Sequence, residues 1–320
     1  MTEIVSLPDV TAATLPQRLH GGVASVGNFD GVHRGHASLL AQTKHLADRL
    51  GGPSIACLFE PHPIAILRPE LAPQRLTTAQ ERARRMSPLG IDFLVVCRTS
   101  PGLLNLTAEQ FFAGLVEQNL KARGIVEGEN FCFGKDRNGD VELLRQLCDH
   151  AGIEFQVAEM RSENGEMISS TRIRDLLDGG DVHTAAEFMA CPHRITGRVE
   201  RGDGRGRTIG FPTANLHEID AFIPAAGVYA ALASADDQDY SAAVHIGESP
   251  TFRSGDAQKV EVHLIGFSGD LYDKAITVQF IRRIRGTMRF ASAEDLANQL
   301  VIDLQSATQF LQQHQQNRAP

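Results

Sequence analysis

Two histidines lie three positions apart, His33 and His36, in the run Gly27-Asn28-Phe29-Asp30-Gly31-Val32-His33-Arg34-Gly35-His36. Imidazoles at that spacing can both hydrogen-bond phosphate oxygens, and glycines at 27, 31 and 35 let backbone come close to a ligand. Gly27 and Asn28 would line the same turn. Such an arrangement stabilises charge on a pentacoordinate phosphorus without a covalent intermediate. Taken alone, the run is equally a Gly-rich turn carrying two surface histidines.

Ile168-Ser169-Ser170-Thr171-Arg172-Ile173-Arg174 offers a second anion site: hydroxyls of Ser170 and Thr171 at a helix start, with Arg174 one turn on. By itself it is also an ordinary N-cap run with solvated arginines. In Glu127-Gly128-Glu129-Asn130-Phe131-Cys132-Phe133-Gly134, Asn130 is the residue best placed to meet a ligand, while Phe131 and Phe133 read as core.

The run Gly202-Asp203-Gly204-Arg205-Gly206-Arg207-Thr208-Ile209-Gly210-Phe211-Pro212-Thr213-Ala214-Asn215 carries the chemistry of the second half. It lacks the GK[ST] of a Walker loop, and Pro212 stops the helix that a dinucleotide fingerprint needs. A flap built on Gly204 and Gly206 can wrap phosphates with backbone N–H groups, with Arg205 and Arg207 as counter-charges. Thr213 and Asn215 project to one side of an extended chain and supply two oxygen donors of the kind a magnesium ion shares with nucleotide phosphates. Otherwise this is a Gly/Arg loop and a turn. Glu261, alternating with apolar residues in Val260-Glu261-Val262-His263-Leu264, is either a solvent-facing strand position or, if it faces the same cavity, a base that takes a proton from an attacking alcohol.

These residues need elements to hold them. From Gly22 to about residue 160, short apolar runs (Val23 to Val26, Ile55 to Phe59, Phe93 to Cys97, Gly124 to Val126, Phe155 to Ala158) alternate with amphipathic stretches such as His36 to Leu50 and Thr107 to Asn119. That alternation predicts an α/β, Rossmann-like domain with a parallel sheet, whose strand ends carry the ligand. Two short helices follow Ser169, separated by Gly179-Gly180. From Ile195 to Ile284 the sequence is strand-like and predicts a small antiparallel β-barrel. A closing helix from Ala293 to about Leu311 and a frayed tail from Gln312 complete the chain. The predicted domains are 1–184 and 185–320.

Thirty-one Lys and Arg against 39 Asp and Glu give a formal charge of −8, which excludes a broad footprint for nucleic acid or an anionic membrane surface. The longest uncharged stretch, Ala221 to Ala235, is 15 residues and contains Pro224, too short to span a bilayer. Five dispersed cysteines form no CxxC pair, so reduced thiols and a cytoplasmic location are expected. The oligomeric state is not readable.

In this order, GNFDGVHRGH, FEPHP, GENFCFG, ISSTRIR, GRGRTIGFPTANL, GVYA, IGESPTF, VEVHL and GDLY closely resemble the bifunctional prokaryotic riboflavin kinase/FMN adenylyltransferase (FAD synthetase) family, from Gly22 to about Ala307. The resemblance implies an HxGH nucleotidylyltransferase domain joined to a riboflavin kinase barrel, with riboflavin, FMN and ATP as substrates and Mg2+ as the metal. It assigns ATP phosphates to His33 and His36, completion of that site to Ser170, Thr171 and Arg174, and the nucleotide or flavin edge to Asn130. Thr213 and Asn215 would hold magnesium with ATP, and Glu261 would act as base toward the ribityl 5'-hydroxyl. The chain departs from the pattern at Met189-Ala190-Cys191-Pro192-His193, at Gly266 and at Glu127. The alternatives are an adenylyltransferase with a weakened kinase half and a non-catalytic flavin sensor.

Overall fold

The computed structural model describes residues 1–159, 168–201, 210–219, 221–236, 238–247 and 258–316. The chain divides into two compact units: residues 1–74 with 78–169, and 75–77 with 170–320.

The first unit is built on a six-stranded parallel sheet: β1 (Glu3–Leu7), β2 (Val23–Val26), β3 (Ser54–Glu60), β4 (Phe93–Arg98), β5 (Gly124–Gly128) and β6 (Glu154–Ala158), in the order β1-β4-β3-β2-β5-β6. The expected α/β architecture is therefore present. All of β2 and the first five residues of β3 are buried, as parallel strands covered on both faces must be. β1 was not read from the sequence, because its Glu3, Ile4 and Ser6 are exposed and it lies at the sheet edge beside β4. The order reverses between β2 and β5, and these strands pair only at Val23 with Gly124 and Ala24 with Ile125. Beyond that point they splay, opening the crevice at their carboxyl ends where such sheets bind ligands.

The helix Arg34–Leu50 leaves this crevice. Its buried Leu39, Leu40, Leu46 and Ala47 face the sheet, each large side chain contributing about 1.5–3 kcal/mol of burial. Gly51, at φ 66°, ends it with a left-handed cap. The helix Ala79–Met86 is capped by Thr78, whose hydroxyl accepts from the Glu81 N–H, as the sequence spacing suggests.

The second unit contains a closed six-stranded antiparallel barrel, in the order β10-β11-β8-β7-β12-β9. Its strands are β7 (Arg194–Glu200), β8 (Ala214–His217), β9 (Gly227–Ala235), β10 (Gln238–Gly247), β11 (Lys259–Leu264) and β12 (Ala275–Arg285). Val244, Ile246, Val260, Val262, Ala214 and Leu216 fill its interior. The sequence predicts extended chain over 213–215 without marking a strand; β8 carries its buried run across Asn215 and so lacks the polar/apolar alternation that marks the other strands. The helices Ser170–Asp178 and Val182–Met189 bury Ile173, Leu177, Val182, Ala185 and Met189 in the same core, so the division at 184/185 expected from sequence falls inside a helix.

A last helix, Ala293–Gln316, continues through residues expected to be frayed. Its Ala307 and Leu311 pack on Ala230 and Ile281 of the barrel's outer face. Arg285 locks it there with two bonds to the buried Asp303 carboxylate, Nε to Oδ1 at 2.9 Å and Nη2 to Oδ2 at 2.6 Å.

Candidate functional site

The loop from Gly27 to His33 sits at the splayed ends of β2 and β5. His33 is the N-cap of helix 34–50: its Nδ1 accepts the backbone N–H of His36 at 3.3 Å. That bond fixes the neutral tautomer, with the proton on Nε2 as a donor. The His36 ring stacks on His33 with centroids 3.7 Å apart, and its Nδ1 is buried without a partner. Burial, only partly opposed by the Asp30 charge, lowers the His33 pKa to about 4. Burial, then His33 and Arg82, push His36 well below the ordinary imidazole value. Both rings are therefore neutral hydrogen-bonding groups at pH 7.

Gly35 sits in a tight place. A Cβ there would lie 3.2 Å from the His33 ring and 3.6 Å from the Ile168 carbonyl, so the chain at Ile168 runs against the histidine turn. Ser170, Thr171 and Arg174 open the helix Ser170–Asp178, as expected; Thr171 is exposed and Arg174 half-buried. This helix belongs to the second unit. Gly27 and Asn28 are half-buried in the loop. Asn130 is exposed after β5, while Phe133 is core and Phe131 stacks on it at 5.5 Å. Glu127 is not a charge beside the crevice: it is 1% exposed, burial raises its pKa well above the usual carboxylate value, and its Oε1 accepts the Val26 N–H at 2.5 Å.

In the barrel, β7, β8, β11 and β10 bring Glu200, Asn215, Glu261 and His245 into one row of directly opposed positions. Opposed residues share a face, and since Val260, Val262 and Leu216 point inward, this row is on the outer face. Asn215 is only 6% exposed and its Oδ1 is buried without a hydrogen bond. Glu261 is held at both oxygens, by His245 Nδ1 at 3.1 Å and Lys259 Nζ at 3.0 Å. The His245 bond, with Lys259 adding to it against partial burial, lowers the Glu261 pKa to about 2, so it is ionised. Thr213 is exposed just ahead of β8. Phe211 and, from the last helix, Val301, Leu304 and Thr308 line a groove of about 410 Å³. Gly204, Gly206, Arg205 and Arg207 lie outside the described residues.

Of the departures, His193 is fully buried, bonds the Phe222 carbonyl at 2.6 Å and stacks on Phe280. The segment that enters the barrel is thus part of its core. Sequence reasoning missed His245, Lys259 and the arginines of helix 79–86. The i, i+2 spacing of Lys259 and Glu261 is the one signal that could have been used.

The family model for FAD synthetase matches residues 15–172 and that for riboflavin kinase matches 189–311. The bifunctional riboflavin kinase/FMN adenylyltransferase of Pseudomonas fluorescens is 36% identical over 90% of this chain and 92% of its own. Those of Escherichia coli K12 and Bacillus subtilis are 35% and 32% identical, covering 91% and 90% of this chain and 93% and 92% of theirs. A crystal structure from Streptococcus pneumoniae, described as a macrolide-efflux protein, matches with a TM-score of 0.84 and 29% identity over 95% of this chain and 98% of that one. Among the described residues here, no helix is long and apolar enough to cross a membrane. The motifs, the two units and these likenesses agree: the chain belongs to the bifunctional riboflavin kinase/FMN adenylyltransferase family.

Proposed function

We propose that the chain performs two consecutive transfers from ATP: riboflavin to FMN and ADP at the barrel, then FMN to FAD and pyrophosphate at the sheet crevice. The observation that carries this reading is that each unit keeps a buried polar atom unspent at its motif, His36 Nδ1 in one and Asn215 Oδ1 in the other. An unsatisfied buried group costs about 1–3 kcal/mol, which a ligand bonding to it would recover. The adenylyl transfer is assigned to the first unit's crevice and the phosphoryl transfer to the barrel, in the cytoplasm, where Cys57, Cys97, Cys132, Cys148 and Cys191 stay as thiols.

In the barrel, the ionised Glu261 accepts the proton of the riboflavin 5'-hydroxyl as its oxygen bonds to the ATP γ-phosphorus and ADP leaves. A carboxylate this weakly basic takes the proton late, when the alcohol is already acidified by bond formation, which suits a loose phosphoryl transition state. Asn215 Oδ1 and the Thr213 hydroxyl are oxygen donors of the kind Mg2+ prefers, few enough to leave it largely hydrated, and the orphaned amide oxygen fits that role. When bound, the metal supplies charge shielding on the phosphates.

At the crevice, an FMN phosphate oxygen attacks the α-phosphorus of ATP and pyrophosphate departs. The nucleophile is already an anion, so no base is needed. His33 Nε2–H and His36 hold triphosphate oxygens, Asn28 and Asn130 border the nucleotide, and Ser170, Thr171 and Arg174 take the charge of the leaving pyrophosphate.

The test is to incubate purified protein with ATP, Mg2+ and riboflavin and separate the flavins by chromatography. Glu261→Ala should stop FMN formation but spare conversion of supplied FMN, and His36→Ala should do the reverse. Formation of neither FMN nor FAD by the unaltered chain refutes the reading.

A further inference from the structure

The crevice loop is held in a conformation its residues resist. Phe29 and Val32 have φ of 50° and 43°, left-handed values that a β-branched residue such as Val32 almost never adopts. Strain of this kind persists only where the surroundings over-determine it. Here they do, and the anchors come from distant parts of the first unit. Arg82 Nη2 bonds Asp30 Oδ1 at 3.0 Å, with both side chains at most 7% exposed. Arg85 Nη1 bonds the Gly31 carbonyl at 2.9 Å and is itself gripped through Nε by Glu81 Oε1 at 2.7 Å. Glu127 takes the Val26 N–H at the loop's start. The apolar ring of Phe29, fully buried, fills the space beneath and meets the His36 ring edge-on at 5.4 Å.

The consequence runs through Asp30. It lies between Phe29 and Val32, the two strained positions, and the chain reaches His33 directly after them. If Asp30 swings away from Arg82, the backbone of Phe29 and Val32 relaxes to negative φ, and the imidazole that caps helix 34–50 turns with it. We propose that Arg82 is a positioning residue for the adenylyl transfer: through Asp30 it holds the strained loop that aims His33 and His36 at the triphosphate. This rests on the reading that the two histidines bind ATP phosphates.

The experiment measures kcat and KM for conversion of supplied FMN to FAD in Arg82→Met, Asp30→Asn and the double variant, all in the full chain. Phosphorylation of riboflavin in the same preparations reports on the other unit. Misplacing a positioned group by about an ångström costs on the order of 100-fold, so Arg82→Met should lower kcat for FAD formation by about 30- to 100-fold while KM for ATP shifts less than about 3-fold. Asp30→Asn, which keeps the shape and loses the ion pair, should lower kcat by about 10-fold. The double variant should be no worse than Arg82→Met, because both changes cut one link.

Three results overturn the proposal: FAD formation unchanged in Asp30→Asn, multiplying losses in the double variant, or a loss confined to KM for ATP. The last two would mean that Arg82 touches substrate itself. If Arg82→Met does not fold, Asp30→Asn alone decides. Absence of FAD formation in the unaltered chain would instead refute the adenylyltransferase reading.

Discussion

Replacing His33 by Asn should make the first unit resist acid better than the unaltered protein. In the folded chain burial holds the His33 pKa at about 4, against an ordinary 6.5. Between those values the unfolded chain binds a proton that the folded one refuses, so stability must fall as pH drops through this window. Above the window the penalty vanishes. It grows to about 2 kcal/mol at pH 5 and about 3 kcal/mol at pH 4, and levels off at roughly 3.4 kcal/mol well below that, from 1.36 kcal/mol per unit of pKa. Asn is itself a favoured N-cap, so it can keep accepting the His36 N–H while removing the titration. Any packing cost of the smaller side chain is the same at both pH values and cancels in the comparison. Since the chain forms two compact units, hydrogen exchange of the slowest amides in β2 and β3 is a better probe than a single melting curve. The measured quantity is the stability difference between pH 7.5 and pH 5, in the variant and in the unaltered chain. The variant should lose about 2 kcal/mol less over that span. Equal losses would mean that His33 is charged in the folded state, and the picture of two neutral imidazoles would be wrong.

Asn215→Leu should separate stability from function in the second unit. It removes an oxygen that is buried without a partner, so the barrel should be as stable or about 1 kcal/mol more stable, while riboflavin phosphorylation falls at least about 100-fold. Thermal unfolding and the flavin assay read the two effects, and a variant that keeps its kinase rate would take Asn215 out of the site. Arg285→Met leaves the Asp303 carboxylate, 1% exposed, with one remaining bond from Gln299. Breaking a buried pair in this way costs about 3–5 kcal/mol, so the last helix should exchange its amides far faster and the barrel should melt lower. An unchanged melting curve would show that the pair is not what docks that helix.

How much of this was legible in the sequence depends on how far each feature reaches along the chain. Val23–Val26 and Ser54–Glu60 announce themselves as apolar runs because parallel strands are buried on both faces, and the barrel strands by alternation. β1 escaped because an edge strand with exposed Glu3 and Ile4 has little pattern, and β8 because a buried Asn215 breaks the alternation it should show. The continuation of the last helix to Gln316 escaped because its Gln-rich end is polar, although Leu311 is still anchored on the barrel. In the proposed sites, the residues assigned to ligands cluster locally, so their pattern is visible in the sequence: His33 and His36 within one turn, Thr213 and Asn215 within one strand entry. The groups that hold them are not. Arg82 lies 52 residues from Asp30, Glu127 lies 101 from Val26, and His245 lies 16 from Glu261 on another strand. Only the fold brings such pairs together, and none carries a spacing signal.

A chain of net charge −8 must still gather two highly charged nucleotides, and the two units solve this in different ways. At the crevice the histidines are neutral, and Arg82 already faces Asp30, so these groups offer directed N–H groups more than net positive charge. Hydrogen bonds of this sort discriminate by position and strengthen where water is excluded, and they need a rigid frame to be worth anything. That explains why so many buried charges are devoted to a short strained loop. At the barrel the proposed base, Glu261, is ionised and flanked by His245 and Lys259, whose bonds tie up both of its oxygens and offset its negative charge. The first unit therefore depends on geometry held from a distance, and the second on charge balanced within one row of side chains. A substitution far from the ligand should then harm FAD formation more readily than FMN formation.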